Sequence, residues 1–369
     1  MYTFFYTCGM VFLWLINLLN GTGIGNAYRT TEYARLIIGA IIFLLMCIRA
    51  SRNGQWRAAK KYFYLLLPMA LLFVVMPLIN GYGWVGLNYL WVFLVTYLIS
   101  QTKPDRLTLV WVSAAYAALG LAILFIFNYM DALNGWNKNS IAMIGLFSYL
   151  VFTIPFYGAR GWKSRVVLTL VGAAYVLLIW PTESRSCSIA VVIALLFVFR
   201  VIPAEKVLNS PKKIFWALQV PLIIALLGCL TALMADVETL NAWSMDKLGK
   251  TFFNGRDQIW QQAFEDLLRH PLFGTGRLIS GLYHNSAIAC LATYGIIGYA
   301  LWVRLFYTNI NDALPFQQDV CIMGATTAFF VIFWQQSVEL GLFAASPNLI
   351  PYIILGFMLG RIKTIKATL

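Results

Sequence analysis

Long apolar runs separated by short polar segments cover most of the chain. About 20 apolar residues in helical form span a bilayer core, and the runs are continuous, whereas a membrane β-strand would alternate apolar and polar residues. The pattern predicts an all-α polytopic membrane protein with about 12 transmembrane helices. The predicted spans are residues 3–19, 35–49, 62–79, 86–100, 108–128, 141–157, 166–180, 187–201, 214–234, 286–306, 320–338 and 347–360.

The polar segments carry a strong charge asymmetry. Eighteen of the 27 Lys and Arg residues fall in one set of alternate loops, and the other set holds nine, five of them in the long segment 235–285. Lys and Arg are enriched in short cytoplasmic loops. We therefore predict cytoplasmic termini, a single integral membrane domain over residues 1–369, and one large extracytoplasmic loop at 235–285.

Composition supports a membrane protein and argues against nucleic acid as a partner. The sequence is 61% hydrophobic and 11% charged, whereas soluble domains carry about 25% charged residues. The net charge of +13 comes from short basic clusters between apolar runs, which is typical of cytoplasmic loops.

The long loop contains an amphipathic pattern over residues 257–269, and Arg256 precedes it. This pattern predicts a short amphipathic helix within the loop. Arg256 would lie at the positive end of that helix, where a guanidinium suits an anion. The alternative is a simple pair with Asp257 or with a lipid phosphate.

Both histidines of the chain, His270 and His284, lie in this loop. His284 immediately precedes the tenth predicted span, and a histidine can exchange a proton near neutral pH. His284 is therefore a candidate base, with a structural role as the alternative. His270 lies beside Pro271, where a turn is expected.

Further candidates come from the other outer segments. Arg185 lies in "PTESRSCS" (181–188) close to hydrocarbon, where an ionisable side chain either serves a function or reaches the lipid headgroups. Asn137 and Asn139 lie in "LNGWNKNSIAM" (133–143), where amides either bind sugar hydroxyls or cap a helix. Arg277 and Glu339, the latter in "WQQSVEL" (334–340), also face outward by this topology.

The sequence lacks the motifs of several other kinds of enzyme and of metal sites. It contains no GxxxxGK[ST], GxSxG or HExxH motif, its two histidines are fourteen residues apart, and its cysteines form no CxxC pair. We therefore predict neither a metal site nor a cofactor. Outward arginines, one interface histidine and amides fit transfer of a group from a membrane-anchored pyrophosphate to a hydroxyl.

The motifs resemble the O-antigen ligase/polymerase family of bacterial cell-surface polysaccharide assembly. "FNGRDQIWQQAFEDLLRHPLFGTG" with "HNSAIACLATYGIIG" is similar to its Gly-Arg, Ile-Trp, Pro, Gly-x-Gly, His-Asn and Gly-x-x-Gly series. "ESRSCSIA" resembles its Ser-Arg motif, and "NKNSIAMI" resembles its Asn-x-Asn motif, with Lys138 where relatives carry proline.

The resemblance implies an inverting, metal-independent glycosyltransferase of the GT-C type in the bacterial plasma membrane. Arg185 and Arg256 would bind the pyrophosphate of an undecaprenyl-pyrophosphate-linked oligosaccharide donor, and His284 would activate the acceptor hydroxyl. Asn137, Asn139, Asn285, Glu339 and Arg277 are predicted to contact substrate. The implied partners are a lipid-linked acceptor, membrane lipid and a chain-length regulator protein.

Among specific functions, a polysaccharide polymerase that joins lipid-linked repeat units is the first prediction. A ligase that moves the finished glycan to a lipid A core shares the same motifs. A twelve-span secondary transporter is the third alternative, and it would place charged or broken helices at the bilayer midplane.

Overall fold

The structure is a computed structural model that describes residues 56–100, 104–130, 137–234, 236–249, 251–253, 255–277, 283–339, 341–343 and 348–367. Predicted spans 3–19 and 35–49 lie outside these residues. In the described ranges all regular elements are helical. The longer helices are α1 Trp56–Ile79, α2 Leu87–Ser100, α3 Arg106–Tyr129, α4 Lys138–Thr153, α5 Trp162–Ile179, α6 Arg185–Val198, α7 Pro211–Met234, α8 Val237–Leu248, α9 Arg256–Arg269, α10 Ser286–Asn311, α11 Val320–Gln335 and α12 Leu349–Lys366.

Every predicted span that falls in the described residues overlaps one of these helices. The prediction of an all-α protein is therefore confirmed for this part of the chain, and the total of twelve spans stays a prediction. Within the described residues, five segments are long and apolar enough to cross a membrane: Arg106–Tyr129, Lys138–Phe156, Trp162–Thr182, Pro211–Met234 and Ser286–Phe316.

The described part of the segment between α7 and α10 holds two helices where one was predicted. The amphipathic helix expected at 257–269 is present as α9, and the second helix is α8. Asp236 caps α8 by accepting from the amides of Glu238 and Thr239, and Gly249 ends it at φ 67°. Both are ordinary helix boundary signals, so the sequence did carry evidence for α8.

Proline breaks the backbone ladder inside α7, and a neighbouring helix repairs it. Pro221 has no N–H, so the carbonyl of Ala217 lacks the donor that a regular helix would supply. The indole Nε1 of Trp334 in α11 donates to that carbonyl at 2.9 Å. An unpaired carbonyl is costly away from water, so this bond fixes α7 against α11.

A side-chain hydrogen bond to a carbonyl freed by proline also joins α1 to α10. Pro77 removes the helical donor to the carbonyl of Phe73, and the hydroxyl of Tyr294 donates to it at 3.0 Å. The two rings also stack with centroids 4.0 Å apart. Tyr294 is thereby fixed one residue before a break in α10.

Helix α10 was predicted as one continuous span over 286–306, and the structure corrects this prediction. Gly295 has φ 66° and ψ −170°, which divides α10 into two helical pieces. Residues 271–276 of the preceding loop lie against the break and bond to the backbone groups that it releases. The four bonds run from Thr275 N to Ala292 O (2.9 Å), Gly276 N to Thr293 O (2.8 Å), Ile296 N to Pro271 O (2.9 Å) and Ile297 N to Leu272 O (3.2 Å).

The break also changes the direction of α10. Asn285 donates to the carbonyl of Pro221, and Tyr299 donates to the side chain of Gln219. A straight helix would separate residues 285 and 299 by about 21 Å, yet both reach the same turn of α7. The bend at Gly295 therefore brings the start of α10, and His284 before it, toward the middle of α7.

Candidate active site

Three predicted site residues from three separate segments meet at the start of α10. Nη2 of Arg256, the first residue of α9, is 3.4 Å from Oε1 of Glu339. Nδ1 of His284 is 3.8 Å from Oε2 of the same carboxylate. The side chain of Glu339 is only 7% exposed, that of Arg256 20% and that of His284 35%. We call Arg256, His284 and Glu339 the central cluster.

His284 adopts an uncommon backbone conformation that its neighbours hold in place. Its φ is 45°, in the left-handed region that few residues other than glycine occupy. The indole Nε1 of Trp260 in α9 donates to the carbonyl of Tyr283 at 2.8 Å. The hydroxyl of Tyr283 donates to Asp266 at 3.0 Å. Helix α9 therefore fixes the residue before His284 at two points.

Asn285, a predicted substrate contact, is engaged with the protein in the structure. It is fully buried and caps α10, and its amide nitrogen donates to the carbonyls of Pro221 and Ser337. These bonds hold the start of α10 against α7 and against the segment after α11, and substrate contact by Asn285 stays a prediction. The first amides of α10 are also paired: Ser286 N with Gln336 O, Ala287 N and Ile288 N with Asn285 Oδ1, and Ala289 N with Asn285 O.

Arg185 lies at the exposed start of α6. Its neighbours Ser186 and Cys187 approach the amide of Gln335 at 3.4 Å and 3.6 Å. Gln335 ends α11, four residues before Glu339. The Ser-Arg segment therefore occupies the same end of the helices as the central cluster.

Asn137 and Asn139 lie at the start of α4, close to the Arg185 segment. The side chain of Asn137 accepts from the amides of Asn139 and Ser140, so it is the helix cap that the sequence offered as the alternative. Lys138 and Glu183 form an exposed ion pair at 3.6 Å. This pair joins the start of α4 to the turn before α6, and substrate contact by the two asparagines stays a prediction.

Arg277 is exposed and follows the loop that closes the break in α10. Its charge acts on Tyr283: burial and Asp266 raise the pKa of this phenol well above its usual value, and Arg277 opposes them. Arg277 is therefore part of the electrostatic surroundings of the residue next to His284. Its contact with substrate stays a prediction.

Sequence reasoning missed the residues that hold the site together. Trp260 lies within the amphipathic pattern that predicted α9, and that pattern gives no signal for the indole hydrogen bond to the carbonyl of Tyr283. Glu339 was predicted as a separate substrate contact, although it lies between Arg256 and His284. The outward-facing "WQQSVEL" segment was the only signal that pointed to Glu339.

The central cluster combines a cation that suits phosphate oxygens with a histidine that suits proton transfer. The buried Nδ1 of His284 makes no hydrogen bond among the described residues, so the exposed part of the ring is its other edge. In this same part of the chain, no group of three or more His, Cys, Asp and Glu residues is arranged to hold a metal ion.

Trp260→Phe should loosen the segment around His284 while keeping the aromatic packing. The variant leaves the buried carbonyl of Tyr283 without its donor, which costs about 1–3 kcal/mol. We expect faster hydrogen exchange at residues 284–289 and unchanged exchange in α11. Trp243→Phe, at an exposed tryptophan of α8, is the matched control. Equal exchange in both variants would contradict the role of Trp260.

Apolar helices and a site of arginine and histidine suggest a membrane enzyme, and comparison with known proteins tests this class. Residues 168–303 match the family described as O-antigen ligase. This segment belongs to the O-antigen ligase/polymerase family, which confirms the resemblance of the motifs. The match includes Arg185, Arg256 and His284, and Glu339 lies beyond it. A comparison with curated proteins gave no match.

The family and the apolar helices indicate a membrane protein with transferase function of the ligase or polymerase type. The break at Gly295 is a feature that the transporter alternative also expects. Here, however, the backbone groups released by the break are paired with residues 271–276, so they do not line an open substrate site. The family match also weighs against a transporter.

Proposed function

We propose that the protein is a polysaccharide polymerase for O-antigen, capsule or exopolysaccharide. It transfers a glycan from undecaprenyl pyrophosphate to a hydroxyl of a second lipid-linked repeat unit. The observation that carries this proposal is the central cluster, in which Arg256 of α9 and His284, just before the cap of α10, meet at one buried carboxylate. Family membership of residues 168–303 supports it.

Each member of the site has a distinct role in this reaction. Arg256 and Arg185 bind the pyrophosphate, because a guanidinium forms two parallel hydrogen bonds with phosphate oxygens and offsets the charge that develops on the leaving group. His284 accepts the proton of the acceptor hydroxyl. The hydroxyl attacks the anomeric carbon on the side opposite the pyrophosphate, so the configuration at that carbon inverts. The arginines take the place of a metal ion in binding the pyrophosphate. Asn137, Asn139 and Arg277 contact the sugars or the pyrophosphate.

The proposed arrangement in the cell follows from the charge pattern. The chain forms one GT-C-like membrane domain of twelve spans in the bacterial plasma membrane, with cytoplasmic termini and residues 235–285 at the outer face. The basic loops support this orientation. The donor and acceptor remain in the lipid, and a chain-length regulator protein is the proposed partner.

A ligase is the second candidate, and the description of the matching family favours it. Both enzymes use the same donor and differ in the acceptor. Purified protein in lipid should therefore receive the lipid-linked repeat unit with either a second repeat unit or a lipid A core as acceptor. A ladder of longer lipid-linked glycans supports the polymerase, and transfer only to the lipid A core supports the ligase.

Arg256→Lys should reduce kcat/KM for the donor about 10²-fold, because lysine keeps the charge but lacks the planar fork. The measurement is the initial rate of transfer at several donor concentrations. Arg269→Lys is the matched control, since Arg269 is an exposed residue of the same helix that pairs with Glu265 at 3.6 Å. Similar rates in both variants would contradict the pyrophosphate role of Arg256.

A further inference from the structure

Glu339 is a buried carboxylate that faces two groups able to carry positive charge. Removing a carboxylate from water is costly unless partners compensate. Its partners come from α9 and from the residue before the cap of α10, whereas Glu339 itself follows α11. The segment that carries it is held to α10 by bonds from Asn285 to Ser337 and from Ser286 to Gln336. The fold therefore places this carboxylate against His284 and Arg256.

We propose that Glu339 is a positioning residue that makes His284 the base and links its activation to donor binding. This inference rests on the proposed function. Nδ1 of His284 is buried, lacks a hydrogen bond in the described part of the chain and lies 3.8 Å from Glu339. A carboxylate at this edge keeps the proton on Nδ1 and leaves Nε2 to accept one.

The link to the donor follows from the two distances. Charge-assisted hydrogen bonds are about 2.7–2.9 Å long, whereas Glu339 lies 3.4 Å from Arg256 and 3.8 Å from His284. The contact with Arg256 is a long hydrogen bond and the contact with His284 lies beyond hydrogen-bond distance, so a small movement of the carboxylate favours one partner over the other. A bound pyrophosphate gives Arg256 its own anion, and Glu339 then closes on His284.

The chemical step balances in these terms. A bond forms between the acceptor oxygen and the anomeric carbon, and the bond from that carbon to the pyrophosphate oxygen breaks. The electron pair leaves with the pyrophosphate, and the hydroxyl proton passes to Nε2 of His284. Glu339 then faces an imidazolium and stabilises its charge.

The charged and titratable groups around His284 come from several elements. Arg256 and Asp266 belong to α9, and Glu339 follows α11. Cys187 of α6 interacts electrostatically with Glu339. Arg277 and Tyr82 act on the neighbouring Tyr283. Among these groups, Glu339 is the carboxylate in the central cluster. Its replacement by a neutral residue should therefore have the largest effect on the tautomer of His284.

The test compares Glu339→Gln with Glu339→Asp in the transfer assay. Glu339→Gln should lower kcat between 10- and 100-fold with less change in acceptor KM, and Glu339→Asp should restore part of it. Glu265→Gln, at an exposed carboxylate of α9, is the matched control and should behave as the unmodified protein.

A second measurement is independent of turnover. With His270→Asn as background, His284 is the only histidine of the chain, so ¹⁵N-histidine spectra report its tautomer directly. We expect the Nδ1–H form, and loss of that preference in Glu339→Ala. Addition of the donor should strengthen the preference.

The outcomes separate this inference from the proposed function. Active protein with unchanged kcat in Glu339→Gln would overturn the role of Glu339 and leave the polymerase proposal standing. Absence of transfer to either acceptor by the unmodified protein would overturn the function, and the tautomer would then decide the inference: an Nε2–H form with Glu339 present contradicts it.

Discussion

Replacement of His284 by asparagine is expected to reduce glycan transfer between 10²- and 10⁴-fold, the usual contribution of a positioned base. Asparagine tolerates the left-handed conformation at φ 45° but cannot accept a proton near neutral pH. The loss should therefore appear in kcat, while the donor still binds through its arginines. The measurement is single-turnover transfer by the purified variant in lipid.

The second histidine provides the matched control for this prediction. His270 is exposed at the end of α9, so His270→Asn makes the same chemical change within the same loop. It should retain full activity. If the purified His284→Asn variant were folded and also retained full activity, His284 would not be the base.

Replacement of Gly295 by alanine is expected to lower the free energy of unfolding by about 4 kcal/mol or more, among the largest effects of a single substitution. An alanine Cβ would lie 2.3 Å from the backbone carbon of Leu272, and φ at this position is 66°. Both the break in α10 and its four bonds to residues 271–276 would have to rearrange. The observable is the yield of monodisperse protein and its thermal midpoint in detergent.

Gly81→Ala separates the two causes of this effect. Gly81 has φ 78°, yet a Cβ there would meet nothing within 4 Å. This control carries the conformational strain alone, about 1–2 kcal/mol. Equal losses in both variants would mean that the contact between the loop and α10 contributes nothing.

Local sequence signals were sufficient for the helices and for the chemical nature of the site. Apolar runs located each described span, and the amphipathic pattern located α9 within one residue of its observed start. Arg256 and His284 were singled out because their residue types and their place outside the hydrocarbon suited pyrophosphate and proton transfer. These features depend on nearby residues, which a single sequence displays.

The remaining features depend on contacts between distant segments. Gly295 lies within an apolar run whose pattern continues through it, and the break is stabilised by bonds from residues about twenty positions earlier. The pairing of Arg256 with Glu339 joins residues 83 positions apart. Hydrophobic periodicity carries no information on such pairings, so the sequence could name these residues but could not assemble the cluster.

The most direct test of the account is a product balance for the unmodified protein in EDTA, with a synthetic undecaprenyl-pyrophosphate repeat unit as both donor and acceptor. We expect longer lipid-linked glycans and one released undecaprenyl pyrophosphate for each new linkage. Intact donor after prolonged incubation, with the second repeat unit and with a lipid A core alike, would contradict it.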